Sequence, residues 1–191
     1  MSVELWALGI SIIALIATLT RDFFIPIFFK PRLKIEGLDD GECIQNVSDN
    51  LNNLTRWVRI KLINKDSFFS RVAKDCYVKL LWVKNDNGSN INPFESLPLT
   101  WVSYDDFSGG KYDLSVGEYH MIDLVHEFPQ RRFLRFKLAG IPLELIKESE
   151  SKLSPGTYNL KIAVYGSNFK PIRKIFKIKL TNKFGELNFV K

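Results

Sequence analysis

Cysteine and histidine are scarce, with two of each in 191 residues, and that scarcity removes whole classes of protein. Cys43 and Cys76 cannot make the disulfide framework of a small secreted domain. One bridge between them stays open if the domain is exported, although Cys76 falls on the core face of an expected strand, where a thiol packs as a small hydrophobe. His120 and His126 share parity on an expected strand, with Asp123 and Glu127 beside them. At ~3.3 Å of rise per residue they stand about 20 Å apart, too far to hold one ion. They are read as surface or edge side chains. The glycine-rich dinucleotide loop, the P-loop, the nucleophile elbow and the helical zinc-histidine pair are absent. Asp39-Asp40 and Asp105-Asp106 are adjacent pairs that point apart in extended chain and suit solvated loops. Arg131-Arg132, after Pro129, has the form of an anion grip and equally of a strand starting on a wet face. No catalytic, cofactor-binding or metal-ligating residue is assigned, no cofactor is expected, and the chain is read as not an enzyme.

Long hydrophobic runs are also lacking, with one exception. Val3 to Thr20 is almost continuously apolar, and Ser11 and Thr18 are the only polar side chains between Leu5 and Leu19. About 18 such residues is the short end of a bilayer span. A buried soluble helix would keep a polar face, and this one has none. A cleaved signal peptide would carry a basic start and a small-residue cleavage site. Here Met1-Ser2-Val3-Glu4 precedes the run and large Phe residues follow it. The run is read as a retained transmembrane helix. After Arg21-Asp22, the segment Phe23 to Phe29, broken by Pro26, is read as an aromatic collar at headgroup level. Residues 1–29 are thus the anchor. Lys30, Arg32 and Lys34 follow at once, while the tail before the helix carries only Glu4. The positive-inside rule places Met1 outside and the domain in the cytoplasm, an extracytoplasmic domain being the alternative. The sequons at Asn46, Asn53 and Asn87 would matter only in that second case.

Beyond Lys30 the apolar pattern has period two, not 3.6. Leu33 and Ile35 alternate with charged residues. Gly37 to Asn53 reads mostly as loop. Val58, Ile60 and Leu62 face inward, with Arg59 and Lys61 outward. Asn64 to Ser67 is a turn. Ala73 to Val83 is a strand with Cys76, Val78, Leu80 and Trp82 on its core face. Asn85 to Asn90 is a hairpin-type loop. A short strand is expected at Pro98 to Val102, then a turn at Leu114 to Glu118 and a strand to Val125. Leu134, Phe136 and Leu138 point inward, and Pro142 to Ser151 is a candidate short helix. Tyr158, Leu160, Ile162 and Val164 line one strand, and Phe176, Ile178 and Leu180 the last. Seven or eight strands without helices between them imply an all-β fold. It is an antiparallel, immunoglobulin-like β-sandwich over residues 30–191, preceded by one N-terminal transmembrane helix. A closed barrel is second. The antibody-type Cys-Trp-Cys spacing is missing, so the immunoglobulin likeness is architectural.

Several stretches together resemble a known group. They are Lys30-Pro31-Arg32-Leu33-Lys34-Ile35, Trp57 to Asn64, Val72 to Leu80, Leu99-Thr100-Trp101 and Tyr158 to Asn168. In their order the chain resembles uncharacterised archaeal and bacterial single-pass membrane proteins with an N-terminal anchor and one sandwich domain. The resemblance covers most of the chain. It implies fold and layout and carries no activity.

The net charge of +6 resides in the domain. Such an excess suits an anionic neighbour. From Lys161 to Lys183 the basic residues have no acidic counterpart. Lys30, Arg32, Lys34, Lys161, Lys177 and Lys179 are therefore candidate contacts to anionic phospholipid headgroups, each worth about 1 kcal/mol near a leaflet, against the plainer reading of a solvated face. A nucleic-acid groove is disfavoured, because most aromatics fall on core positions or in the collar, with Trp57, Tyr77 and Phe133 as exceptions. The expected function is a non-catalytic, membrane-anchored binding or scaffold module, an accessory part of a larger assembly with an unknown protein partner. The alternative is an exported cell-surface sandwich that binds carbohydrate or protein.

Overall fold

The computed structural model describes residues 3–37, 41–48, 54–91, 96–102, 110–127, 134–136, 153–181 and 183–190. The expected strand at Leu138, the candidate helix at 142–151, Arg131-Arg132, Phe133, Asn53 and both adjacent carboxylate pairs lie outside them.

The chain opens with helix α1 (Val3–Leu19). From Trp6 onward its side chains are exposed all round, with Trp6 61%, Ile10 65% and Ile13 69% accessible. Its hydroxyls are hidden in its own backbone: Ser11 donates to the Ala7 carbonyl, Thr18 to that of Ala14, and Thr20 to that of Ile16, at 2.8–2.9 Å. That bonding removes the polarity of these hydroxyls from the helix surface. The collar, expected to be broken at Pro26, is helical on both sides of it. A π-helical turn (Thr20–Phe24) leads into a single α-turn, α2 (Ile25–Phe28). Pro26 cannot donate to the preceding turn, and the wider i→i+5 winding, closed by the Ile25 N–H on the Thr20 carbonyl, absorbs it.

Two antiparallel sheets follow. The first holds β1 (Leu33–Glu36), β2 (Ile44–Ser48), β3 (Leu54–Asn64), β6 (Thr100–Trp101), β8 (Tyr119–Glu127) and β9 (Leu134–Phe136). Long strands β3 and β8 form its centre. β1 and β2 share the outer edge of β3, while β6 and β9 share that of β8. The second sheet runs β12 (Asn188–Val190), β11 (Ile172–Leu180), β10 (Gly156–Tyr165), β4 (Ala73–Asn85), β5 (Leu97–Pro98), with β7 (Tyr112–Leu114) also on β4. Pro98 sits on an edge strand, where no ladder donor is missed. One apolar core joins the sheets: Val58, Ile60, Leu62 and Ile122 from the first meet Val78, Leu80, Leu160, Ile162 and Ile178 from the second.

Alternation located the core faces of β3, β10 and β11 correctly, but register slips in β4 and β8 moved residues elsewhere. In β4 the register slips opposite Lys161/Ile162, so that Lys161 faces Trp82 while Ile162 faces Leu80. Leu81 is the extra residue. Beyond it the parity reverses: Val83 is buried and Trp82, expected inside, is half-exposed. In β8 the extra residue is Leu124, opposite Val58/Arg59. Ile122, Leu124 and Val125 are all buried as a result. Strands β2, β7 and β12 were not expected. Each is five residues or fewer, too short for alternation to register beside loop-like composition. β12 closes the core with Phe189 against Phe176, ring centroids 5.7 Å apart.

Candidate functional site

The two sheets are linked at the end where the helix arrives. β3 belongs to one sheet and β4 to the other, so the segment from Lys65 to Val72 crosses between them. Its base is held by Asn64, whose residue surface is fully buried. The Asn64 Oδ1 accepts the Arg32 N–H and the Ser70 hydroxyl, each at 3.1 Å. Its Nδ2 donates to the carbonyls of Arg71 at 2.7 Å and Leu114 at 3.0 Å. Its backbone N–H donates to Glu118 and its carbonyl accepts from Gly117. A buried amide satisfied this fully is a rigid hub. It ties the segment leaving the helix, the inter-sheet loop and the turn before β8 into one platform. The Lys65 N–H adds a bond to the Arg32 carbonyl at 2.9 Å.

On that platform stands a turn, closed by the Ser70 N–H on the Ser67 carbonyl at 2.8 Å, with Phe68 and Phe69 at its centre. Phe68 is 90% exposed and Phe69 45%. The Phe69 ring meets Phe68 edge-on at 5.0 Å and Phe29 at 5.5 Å. Lys30, Arg32, Lys65 and Arg71 are exposed around them. The same end includes the β10–β11 turn, because Asn168 donates to the Val72 carbonyl and accepts the Lys74 N–H. Gly166 is required there: a Cβ would lie 2.6 Å from the Lys74 carbonyl.

The six candidate headgroup contacts do not form one cluster. Lys30 and Arg32 are exposed at the helix-proximal end, while Lys34 pairs with Glu36 and holds that carboxyl below its ordinary range. Lys161 sits mid-sheet, half-buried, its ammonium 5.7 Å from the Trp82 ring centroid. Lys177 pairs with Asp86 at 3.2 Å. Lys179 lies about 23 Å along β11 from its helix-proximal start, at ~3.3 Å per residue. Within the same basic run, Lys174 is spent on structure, donating to the Ile35 carbonyl at 2.8 Å. On the other sheet Arg59 and Lys61 point away from the core yet are largely covered: Arg59 bonds Asp123 at 2.9 Å and Lys61 pairs with Glu42.

Several other ionisable groups among the described residues are occupied in structural contacts. His120 lies 3.1 Å from the Glu118 carboxylate and against Tyr112, ring centroids 3.9 Å apart. The Ser115 N–H and then His120 hold Glu118 below the usual carboxylate range. Cys43, in the turn before β2, and Cys76, in β4, are both buried thiols. Burial first, then Asp113 and Asp75, push Cys76 up to about 12, so it carries no nucleophilic thiolate near neutrality. Among the described residues no three His, Cys, Asp or Glu side chains are grouped to hold a metal.

The sequence reading overlooked Asn64 as a hub and the Phe68-Phe69 pair. The signal for the pair was present: two large aromatics stand where turns favour Gly, Pro, Asn, Asp or Ser.

No family model matches the chain, and no curated protein matches it. Among solved structures it is similar to a family 123 glycoside hydrolase from Clostridium perfringens, the subject of work on glycolipid glycan hydrolysis. Identity is 12% over 68% of this chain and 21% of that one, with a TM-score of 0.34. The chain thus spans about a fifth of that protein's length, and a likeness so low carries no argument about activity. The stretch Trp6–Phe24, 19 residues and wholly exposed, is long and apolar enough to cross a membrane.

Proposed function

We propose that this chain is a non-catalytic binding or scaffold module held at a membrane by a retained single-pass anchor, with an immunoglobulin-like sandwich as its working domain. The observation that carries this reading is the helix. Its apolar surface is exposed on every side beside a domain whose core is filled by its own strands. At 1.5 Å per residue 19 residues reach about 28 Å, close to the ~30 Å of a bilayer interior. The domain serves as an accessory to a larger assembly, and the anchor raises its local concentration at a partner. Support for the absence of catalysis is the engagement of Asp123, Glu118 and His120 in fixed contacts, together with the lack of catalytic motifs.

The domain is placed in the cytoplasm on the strength of Lys30, Arg32 and Lys34. An exported module that binds carbohydrate or protein is the second reading. Exposure of the sequon residues Asn46 and Asn87 favours it. Labelling of intact cells with a membrane-impermeant reagent, against a tag at either terminus, separates the two. A protected C-terminal tag and a labelled N-terminal one is the expected result. The opposite pattern, with glycan on Asn46 or Asn87 in a glycosylating host, would promote the exported module.

A further inference from the structure

We infer that the inter-sheet loop Lys65 to Val72 is a second membrane contact: Phe68 and Phe69 enter the headgroup layer beside the helix, so the domain stands on its end. This rests on the reading of Trp6–Phe24 as a membrane anchor and deepens it.

The turn itself departs from local chemistry. Phe68 and Phe69 occupy both central positions, where a large apolar ring gains nothing from the backbone. Nor can the fold bury them. Asn64 fixes the loop through Ser70 and Arg71, which holds Phe68 at the apex, 90% exposed. A departure of this kind points to a function outside the chain's own packing. Val72 and Val116, at 38% and 37% exposure, extend the apolar surface on the same end.

Position selects the bilayer as the occupant. Phe29 lies five residues beyond the end of the span, about 7 Å further along a helix axis. The polar layer on each side of the ~30 Å interior is itself only about 5–8 Å thick. The 5.5 Å contact between Phe29 and Phe69 therefore places the loop at that depth, where aromatic rings are favoured. Charge agrees with depth. Lys30, Arg32, Lys65 and Arg71 are exposed around the rings, with Asp66 the loop's own carboxylate. That surround suits phospholipid headgroups. Lys177 and Lys179, toward the far end of β11, then face away from the leaflet rather than lying on it.

The test uses the full chain in vesicles of phosphatidylcholine and phosphatidylserine, with an environment-sensitive fluorophore on Ser67→Cys, which keeps both rings. Ser89→Cys in the far turn and Leu15→Cys in the helix are the references. The native thiols are buried, and the unsubstituted chain measures their background labelling. Lipids spin-labelled near the headgroup should quench position 67 strongly. Position 89 should stay unquenched, and position 15 should respond to a label deep in the acyl chain. Adding Phe68→Ser and Phe69→Ser should abolish quenching at 67 without changing position 15. If position 67 behaves like 89 while 15 is quenched, the loop contact is wrong and the anchor reading survives. If 15 is unquenched too, the anchor reading fails, and this inference with it. A blue-shifted but unquenched signal at 67 would mean a protein contact and would overturn the bilayer as occupant.

Discussion

Asn64 shows how much can depend on one polar side chain. It is fully buried, and its amide and backbone make six hydrogen bonds to Arg32, Ser70, Arg71, Leu114, Gly117 and Glu118. Asn64→Leu keeps the volume and strands the four partners of the amide. A group left unsatisfied in this way costs about 1–3 kcal/mol, so a loss of about 2–4 kcal/mol is expected. Urea unfolding would measure it, and trypsin should cut sooner after Lys65 or Arg71 once the loop is released. An unchanged midpoint would mean the hub is dispensable. Glu127 works in the other direction. It is 4% exposed, and burial holds its carboxyl above the ordinary range, offset in part by the Gly185 N–H and the charge of Arg56. The fold therefore favours the protonated form. That contribution to stability is full below the usual carboxylate value of 4.5 and is lost as pH rises through the folded value. Glu127→Gln should thus be more stable than the parent at about pH 7 and converge with it near about pH 4. A variant less stable at neutral pH would show that Arg56 outweighs burial.

At the scale of elements, the bulge at Leu81 decides which face of β4 holds its tryptophan. Trp101 is 3% exposed, and its indole N–H donates to the Gly110 carbonyl at 3.0 Å. Trp82 has been turned to the wet face, between Lys84 and Lys161 at 5.0 and 5.7 Å. Trp101→Ala should cost about 3–5 kcal/mol as a large-to-small core change, and Trp82→Ala about 1 kcal/mol, the worth of an exposed cation–π contact. Equal losses in thermal unfolding would place Trp82 back in the core. Alternation alone made Trp82 look interior because period two assumes an unbroken ladder, and a slip such as that at Leu81 exists only between strands. Where the strand itself carries no extra residue, as in β3, β10 and β11, the inward faces were legible from the letters. The short edge strands β2, β7 and β12 were not, since their pairing comes from a long neighbour rather than from their own pattern. The site divides in the same way. Lys30 and Arg32 could be picked out by their place after the helix. Asn64 could not, because its partners come from three separate stretches of chain, at Arg32, at Ser70-Arg71 and from Leu114 to Glu118. Phe68 and Phe69 were visible as residues, but only the Ser67–Ser70 turn shows them unburied.

For the whole molecule, the helix and the strands are separable in energetic terms. Among the described residues the apolar core runs from Ile35 to Phe189, with Leu33 packed against it, and includes none from the helix. Each fully buried aliphatic side chain contributes about 1.5–3 kcal/mol relative to exposure, and every one of those contributions is made within 30–191. Deleting 1–29 removes the edge-on contact of Phe29 with Phe69 and little else that holds the strands together. The truncated chain should therefore fold, with a urea midpoint close to that of the full chain in mild detergent. It should also leave Phe68 and Phe69 uncovered, and an exposed aromatic pair invites self-association. The comparison accordingly includes a second truncated form carrying Phe68→Ser and Phe69→Ser. Association of the first form, with a monomeric and cooperatively folded second form, would fit a self-sufficient domain with an apolar tip. If the second form also fails to fold in the absence of the helix, the strands depend on the anchor for more than location, and the division at residue 30 is wrong.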